Sequence, residues 1–207
     1  MTTYKGIDLF GIPVYEGKFN IHQPDVEYIK SLDFERMEID NGYSTVNKHI
    51  LELPELSKFK DNVLDHCGQY LYQMLTVKKH TKFRLLNSWA TKHEPNDWAQ
   101  KHDHVNSFVS GIVYLDVNND SGNLHFHKNN IWQNIFPRSV SIDFETYNPA
   151  TSSEWVYTPQ VGDIFLFPSS LEHSVTVNQS KDPRYVCAFN LYPEGKFTAG
   201  NHSDLTI

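Results

Sequence analysis

Val161-Gly-Asp-Ile-Phe-Leu-Phe-Pro-Ser-Ser-Leu-Glu-His173 is the stretch that decides the fold. A Gly-Asp turn feeds an apolar strand, Pro168 ends it, and a short polar turn delivers a histidine. Working outward, the same grammar recurs. Phe83–Ala90, Ser107–Val117, Asn123–His127, Trp155–Thr158 and Arg184–Tyr192 are further strand-like runs, and Asn118–Gly122 is a turn cluster. Short strands with regular turns and no alternating helices point to a sandwich or barrel, not a parallel α/β sheet. Residues 128–153, rich in Asn, Ser, Thr and Pro, read as a long loop and a candidate lid.

The first third is mixed. Leu9–Tyr15 reads as a strand entering the domain, and Asp25–Phe34 has helical spacing with Pro24 as a start signal. Pro54 to Met74 is the clearest helix. Leu56, Phe59, Val63, Cys67, Tyr70 and Met74 recur at steps of three and four and form one apolar stripe, which is expected to pack on a sheet. The 207 residues suit one domain: an N-terminal part (1–80), a β core (81–195) and a tail (196–207).

A net charge of −7, from 18 basic and 25 acidic residues, argues against holding nucleic acid or anionic lipid by bulk attraction. No run is long and apolar enough to span a membrane. Cys67 and Cys187, with no secretory leader at the start, are expected to be a reduced pair in a cytoplasmic protein.

Histidine is the unusual count, 11 in all, and several cluster. On a strand, His102 and His104 share one face and Asp103 points the other way. His173 follows a distant strand. In a rolled-up antiparallel sheet the two segments can meet across the barrel mouth and offer three ligands to one ion, with positions left open. Only a bulge would bring Asp103 in instead. His125 and His127 also share a face and are read as polar surface histidines. Trp89, Trp132 and Trp155 are candidates for a pocket lining, with core packing as the plainer reading.

These pieces resemble a known family. Gly162–His173 is similar to the second motif of the cupin and double-stranded β-helix superfamily. His102-Asp-His104, Asn106-Ser107, Ser110-Gly111, Tyr114-Leu115, Phe167-Pro-Ser169, His173, Arg184 and Phe189-Asn190 resemble, in order, a family of 2-oxoglutarate/Fe(II)-dependent oxygenases with bacterial and bacteriophage members. The resemblance implies a mainly β (α+β) double-stranded β-helix, jelly-roll and cupin-like, with supporting N-terminal helices. It implies a dioxygenase of hydroxylase type that uses Fe(II), 2-oxoglutarate and O2 and releases succinate and CO2. His102, His104 and His173 would be the metal ligands and catalytic centre. Arg184, Tyr114 and Asn190 would hold the co-substrate, with Arg184 on its distal carboxylate, because a planar guanidinium fork suits a carboxylate. For Arg184 the plainer reading is a surface ion pair with Asp182, and for Tyr114 it is ordinary core packing. The substrate would be a small molecule or a peptidyl side chain, the compartment the cytoplasm (the host's, for a phage protein), and a homodimer stays open.

One departure stands out: His104 occupies the position where the superfamily usually has a carboxylate. Two other readings therefore stay open. One is a three-histidine cupin-type dioxygenase or isomerase without 2-oxoglutarate. The other is a non-enzymatic metal-binding jelly-roll module.

Overall fold

The computed structural model describes residues 11–38, 41–128, 144–148, 151–198 and 204–206. In chain order the elements are β1 (Tyr15–Lys18), α1 (Gln23–Lys30), β2 (Phe34–Arg36), β3 (Tyr43–Thr45), α2 (Ser57–Gly68), β4 (Lys82–His93), β5 (Ala99–His102) and β6 (Val109–Asp116). They continue with β7 (Leu124–His127), β8 (Glu154–Tyr157), β9 (Asp163–Pro168), β10 (His173–Val175), β11 (Arg184–Glu194), β12 (Lys196–Thr198) and β13 (Asp204–Thr206). Two antiparallel sheets carry the architecture. The larger has the order β1-β9-β6-β11-β4-β3-β2 and the smaller β5-β10-β7-β8. This is the mainly β fold expected from the sequence, consistent with a double-stranded β-helix.

The period of two explains the layering. Along β6, Val109, Val113 and Leu115 point one way and Ile112 and Tyr114 the other; along β9, Ile164 and Leu166 oppose Phe165 and Phe167. The first set packs with Val26 and Ile29 of α1 and Phe59, Val63 and Cys67 of α2. The second set meets Leu124 and Phe126 of β7, inside the space between the sheets. The large sheet is thus covered on both faces, which is why β6 and β9 read as continuous apolar runs. On β11 the same parity puts Cys187, Phe189 and Leu191 with the helices and Val186 inside. Arg184, Ala188 and Asn190, in step with Val186, fall on the inward face.

Several expectations shift. Residues 1–10 lie outside the described set, and of the expected Leu9–Tyr15 strand only Tyr15 is in a strand, β1. The expected Asp25–Phe34 helix starts at Gln23 with Pro24 in its first turn but stops at Lys30. Ser31 Oγ then bonds the Tyr28 carbonyl, and Phe34 pairs with Thr45 as the first residue of β2. The long helix is three pieces: a 3₁₀ turn at Pro54–Leu56, then α2, then a π-helical turn at Gln69–Met74. The wider π turn rotates the stripe. Leu56, Phe59, Val63, Cys67 and Tyr70 are buried as expected, but Leu71 takes the next core position and Met74 is 48% exposed. Strands β2, β3, β10, β12 and β13 are additional to the strands expected from the sequence; β1–β3 join the same large sheet as the later strands, and β12 pairs with β13. Most of the proposed 128–153 lid lies outside the described residues, as does Trp132. No helix among the described residues is long and apolar enough to cross a membrane.

Candidate metal centre and anion pocket

His173 opens β10 and faces His102, the last residue of β5, directly across the ladder. His104 lies just beyond β5, held by its backbone N–H on the Ser169 carbonyl at 2.9 Å. The ladder is irregular between His173 and Val175, but alternation survives through the segment: His102 and His104 are half-buried and Asp103 is exposed. The three rings converge, with centroids 4.4 Å (His102–His173), 5.1 Å (His104–His173) and 5.5 Å (His102–His104) apart. One nitrogen from each lies within 4.8 Å of the others, and Asp103 is not part of the cluster.

Each Nδ1 is already engaged by an oxygen. His102 Nδ1 is 2.8 Å from the Gln100 carbonyl, His173 Nδ1 is 3.0 Å from the Leu171 carbonyl, and His104 Nδ1 is 2.9 Å from Asn190 Oδ1. Donation through Nδ1–H leaves Nε2 as a lone pair on every ring, the form a metal requires. Burial, and then the neighbouring His102 and His104, pull the pKa of His173 down to about 3, so its ring is neutral at ordinary pH. The donor set therefore fits a divalent transition metal of the imidazole-binding kind.

The second constellation sits on the inward face of β11 and β6. Arg184, at the start of β11, is 3% exposed. Its guanidinium carbon lies 5.2 Å from the centre of the Tyr114 ring. Arg184 Nε and Nη1 and the Tyr114 hydroxyl are buried without hydrogen-bond partners among the described residues. Buried polar atoms are rarely left so, and a buried guanidinium without an anion is costlier still. Burial raises the Tyr114 pKa, so the phenol stays protonated and can donate. The expected alternative, a surface pair with Asp182, fails: Asp182 is exposed and Arg184 is inside. This pair of donors fits a carboxylate, which would satisfy both groups. Phe165, Phe126 and Phe167 form an aromatic wall from Tyr114 to His173, with centroid separations of 6.0, 6.4, 5.0 and 4.9 Å along it.

Asn190, expected to contact the co-substrate, is bonded within the protein: Oδ1 accepts from His104 and from Ser110 Oγ at 2.7 Å, and Nδ2 donates to Asn87 Oδ1 at 2.9 Å. Ser110-Gly111 and Asn87-Ser-Trp89 both fit the family pattern, but the sequence alone gives neither Ser110 nor Asn87 a role at the site. Trp89 is half-buried with its ring 5.7 Å from His104, whereas Trp155 is exposed on β8. His125 and His127 lie on the other face of β7, half-buried beside Glu154 and Ser174, and are not part of the three-histidine cluster.

Residues 87–190, just over half of the chain, match the family model described as "Putative 2OG-Fe(II) oxygenase". No curated protein matches the sequence. Solved structures share the fold at low identity. HygX from Streptomyces hygroscopicus, crystallised with nickel, 2-oxoglutarate and hygromycin B, is 13% identical with a TM-score of 0.60, over 87% of this chain and 83% of that one. The non-haem α-ketoglutarate-dependent epimerase SnoN from nogalamycin biosynthesis is 13% identical with a TM-score of 0.60, over 87% of this chain and 78% of that one. A Pseudomonas putida prolyl-4-hydroxylase is 12% identical with a TM-score of 0.53, over 86% of this chain and 92% of that one. The matched segment begins at Asn87 and ends at Asn190 and encloses the three histidines, Tyr114 and Arg184; on that match the chain belongs to the family of 2OG-Fe(II) oxygenases, whose cofactors are Fe(II), 2-oxoglutarate and O2.

Proposed function

We propose that the protein is a non-haem Fe(II)- and 2-oxoglutarate-dependent dioxygenase that hydroxylates a small molecule or a peptidyl side chain and releases succinate and CO2. The observation that carries the co-substrate is the buried Arg184 beside Tyr114, with the guanidinium Nε and Nη1 left without a hydrogen-bond acceptor and without an acidic partner among the described residues. A plain metal-binding cupin has no need for a cation in that place.

In this reading His102, His104 and His173 hold the metal through Nε2. Bound iron, with co-substrate and dioxygen, supplies the two-electron oxidation that puts an oxygen atom into a C–H bond while 2-oxoglutarate loses CO2. The remaining work falls to the chain. Arg184 and Tyr114 would fix the distal carboxylate by charge-assisted hydrogen bonds and so set how far the keto-acid end reaches. The wall of Phe126, Phe165 and Phe167 keeps water from the space between. His102 and His104, half-buried, leave the cluster open on one side, as a substrate-binding centre requires and a closed structural site does not. Trp89 offers an aromatic face beside His104 for substrate.

The three-histidine donor set favours a second reading, a thiol-dioxygenase-like cupin without 2-oxoglutarate. Arg184 separates the two. Protein reconstituted anaerobically with Fe(II) should develop a weak metal-to-ligand charge-transfer band on addition of 2-oxoglutarate, and Arg184→Ala should lose it at the same concentration. Absence of the band and of any 2-oxoglutarate affinity in the unaltered protein would remove the co-substrate claim. Hydroxylation itself is tested by matching succinate formation to a product heavier by one oxygen atom.

A further inference from the structure

Two of the three converging histidines have their tautomer set by the main chain. The Gln100 and Leu171 carbonyls can only accept, so His102 and His173 must carry the proton on Nδ1. His104 differs, because the group facing its Nδ1 is a carboxamide, which can accept or donate. With Oδ1 toward the ring, His104 keeps its proton on Nδ1 and a lone pair on Nε2. With the amide turned over, Nδ2–H would face Nδ1, the proton would sit on Nε2, and the ring could not ligate.

We infer that Asn190 is the positioning residue that sets the tautomer of His104, and that Asn87 and Ser110 set Asn190. The inference rests on His104 being a metal ligand, as proposed above. It assigns Asn190 to the metal side of the site and not to the co-substrate.

The geometry supports this in three ways. Asn190 is buried, so its amide must find partners inside the protein. Ser110 Oγ donates to Oδ1 at 2.7 Å, and Nδ2 donates to Asn87 Oδ1 at 2.9 Å, so both ends of the amide are occupied in one orientation. Ser110 is fully buried and also lies 2.9 Å from Ser169 Oγ, whose backbone carbonyl accepts from the His104 N–H. Ring and amide are therefore anchored to the same short segment. Asn190 and Asn87 face each other in register on β11 and β4, beside the register shift between Asn190 and Leu191.

Metal affinity without co-substrate is the test, with Co(II) as the air-stable probe. Asn190→Ala should weaken Co(II) binding about 10- to 100-fold, the usual cost of losing the partner behind a metal-bound histidine, and should alter the Co(II) absorption spectrum. Asn190→Asp, which can only accept from Nδ1–H, should keep the affinity, whereas Asn190→Leu, similar in size but unable to accept, should lose it; a role confined to packing would spare Asn190→Leu. Asn87→Ala should lower it more mildly. Unchanged Co(II) affinity in Asn190→Ala, with 2-oxoglutarate affinity lost instead, would overturn the inference and return Asn190 to the co-substrate. Nitrogen-15 spectra of the imidazoles in the metal-free, unsubstituted protein provide a check that needs no variant: His104 should be the Nδ1–H tautomer, and an Nε2–H signal would overturn the inference. Failure of the unsubstituted protein to bind Co(II) would sink the metal reading itself, a different result from either of these.

Discussion

At the scale of single residues, Arg184 carries the strongest physical claim. It holds a guanidinium inside the protein with no acidic partner among the described residues, and burial already pulls its pKa down. Burying an uncompensated charge destabilises a fold, and an apolar side chain of similar length in its place is often better tolerated. The protein free of 2-oxoglutarate is therefore expected to gain stability, on the order of 1 kcal/mol, from Arg184→Met. The order should reverse with ligand present. Metal-loaded unsubstituted protein at 100 times the dissociation constant of 2-oxoglutarate should be stabilised by about 2.7 kcal/mol, and the variant by almost nothing. Thermal unfolding of both proteins with and without 2-oxoglutarate gives the four values. A variant less stable than the parent in both conditions would make Arg184 a structural residue.

At the scale of elements, the π-helical turn after α2 decides which side chains hold the helix to the sheet. Leu71 is buried and Met74 is half in solvent, the reverse of what an uninterrupted stripe predicts for Met74. Leu71→Ala should cost about 2–5 kcal/mol and Met74→Ala less than about 1 kcal/mol, measured by urea unfolding. The same comparison shows what sequence patterns carry. Short apolar runs bounded by turn residues exposed β6, β9 and β11, and the spacing of His102 and His104 placed both on one face, because these signals are local. The π turn leaves no local mark, since Tyr70, Leu71, Met74 and Leu75 are all acceptable on a regular helix. Strands β2 and β3 are three residues each, below the length at which alternation can be read. The partner of His104 was invisible for a related reason: Asn190 is 86 positions away. Its place in a Phe-Asn motif marked it as a site residue without showing which group it touches.

At the scale of the whole molecule, the buried histidines set the response to acid. His93, at the end of β4 opposite Arg184, is pulled down to about 3 by burial first and then by the Arg184 cation. His173 reaches about the same value, and burial also lowers His66. In the unfolded chain each would take a proton near pH 6.5. For His93 and His173, between about pH 6.5 and pH 3 the unfolded state thus binds protons that the folded state refuses, so these two rings stabilise the fold above pH 6.5 and lose that contribution as the pH falls toward 3. One ring adds a slope of about 1.4 kcal/mol per pH unit inside that window. His93 is the ring to isolate, since His173 also answers to metal. Its ring packs tightly against Gly42, where even an added methyl group would lie 2.4 Å from Cδ2, so glutamine is the substitution nearest in size without a titrating ring. Denaturant unfolding of metal-free protein from pH 7 to pH 4 should show a curve shallower by one proton in His93→Gln than in the parent, with the two proteins differing least in slope above pH 7. Parallel curves across the whole range would mean that His93 is protonated in the folded state beside Arg184, which would require an anion in the pocket to balance both.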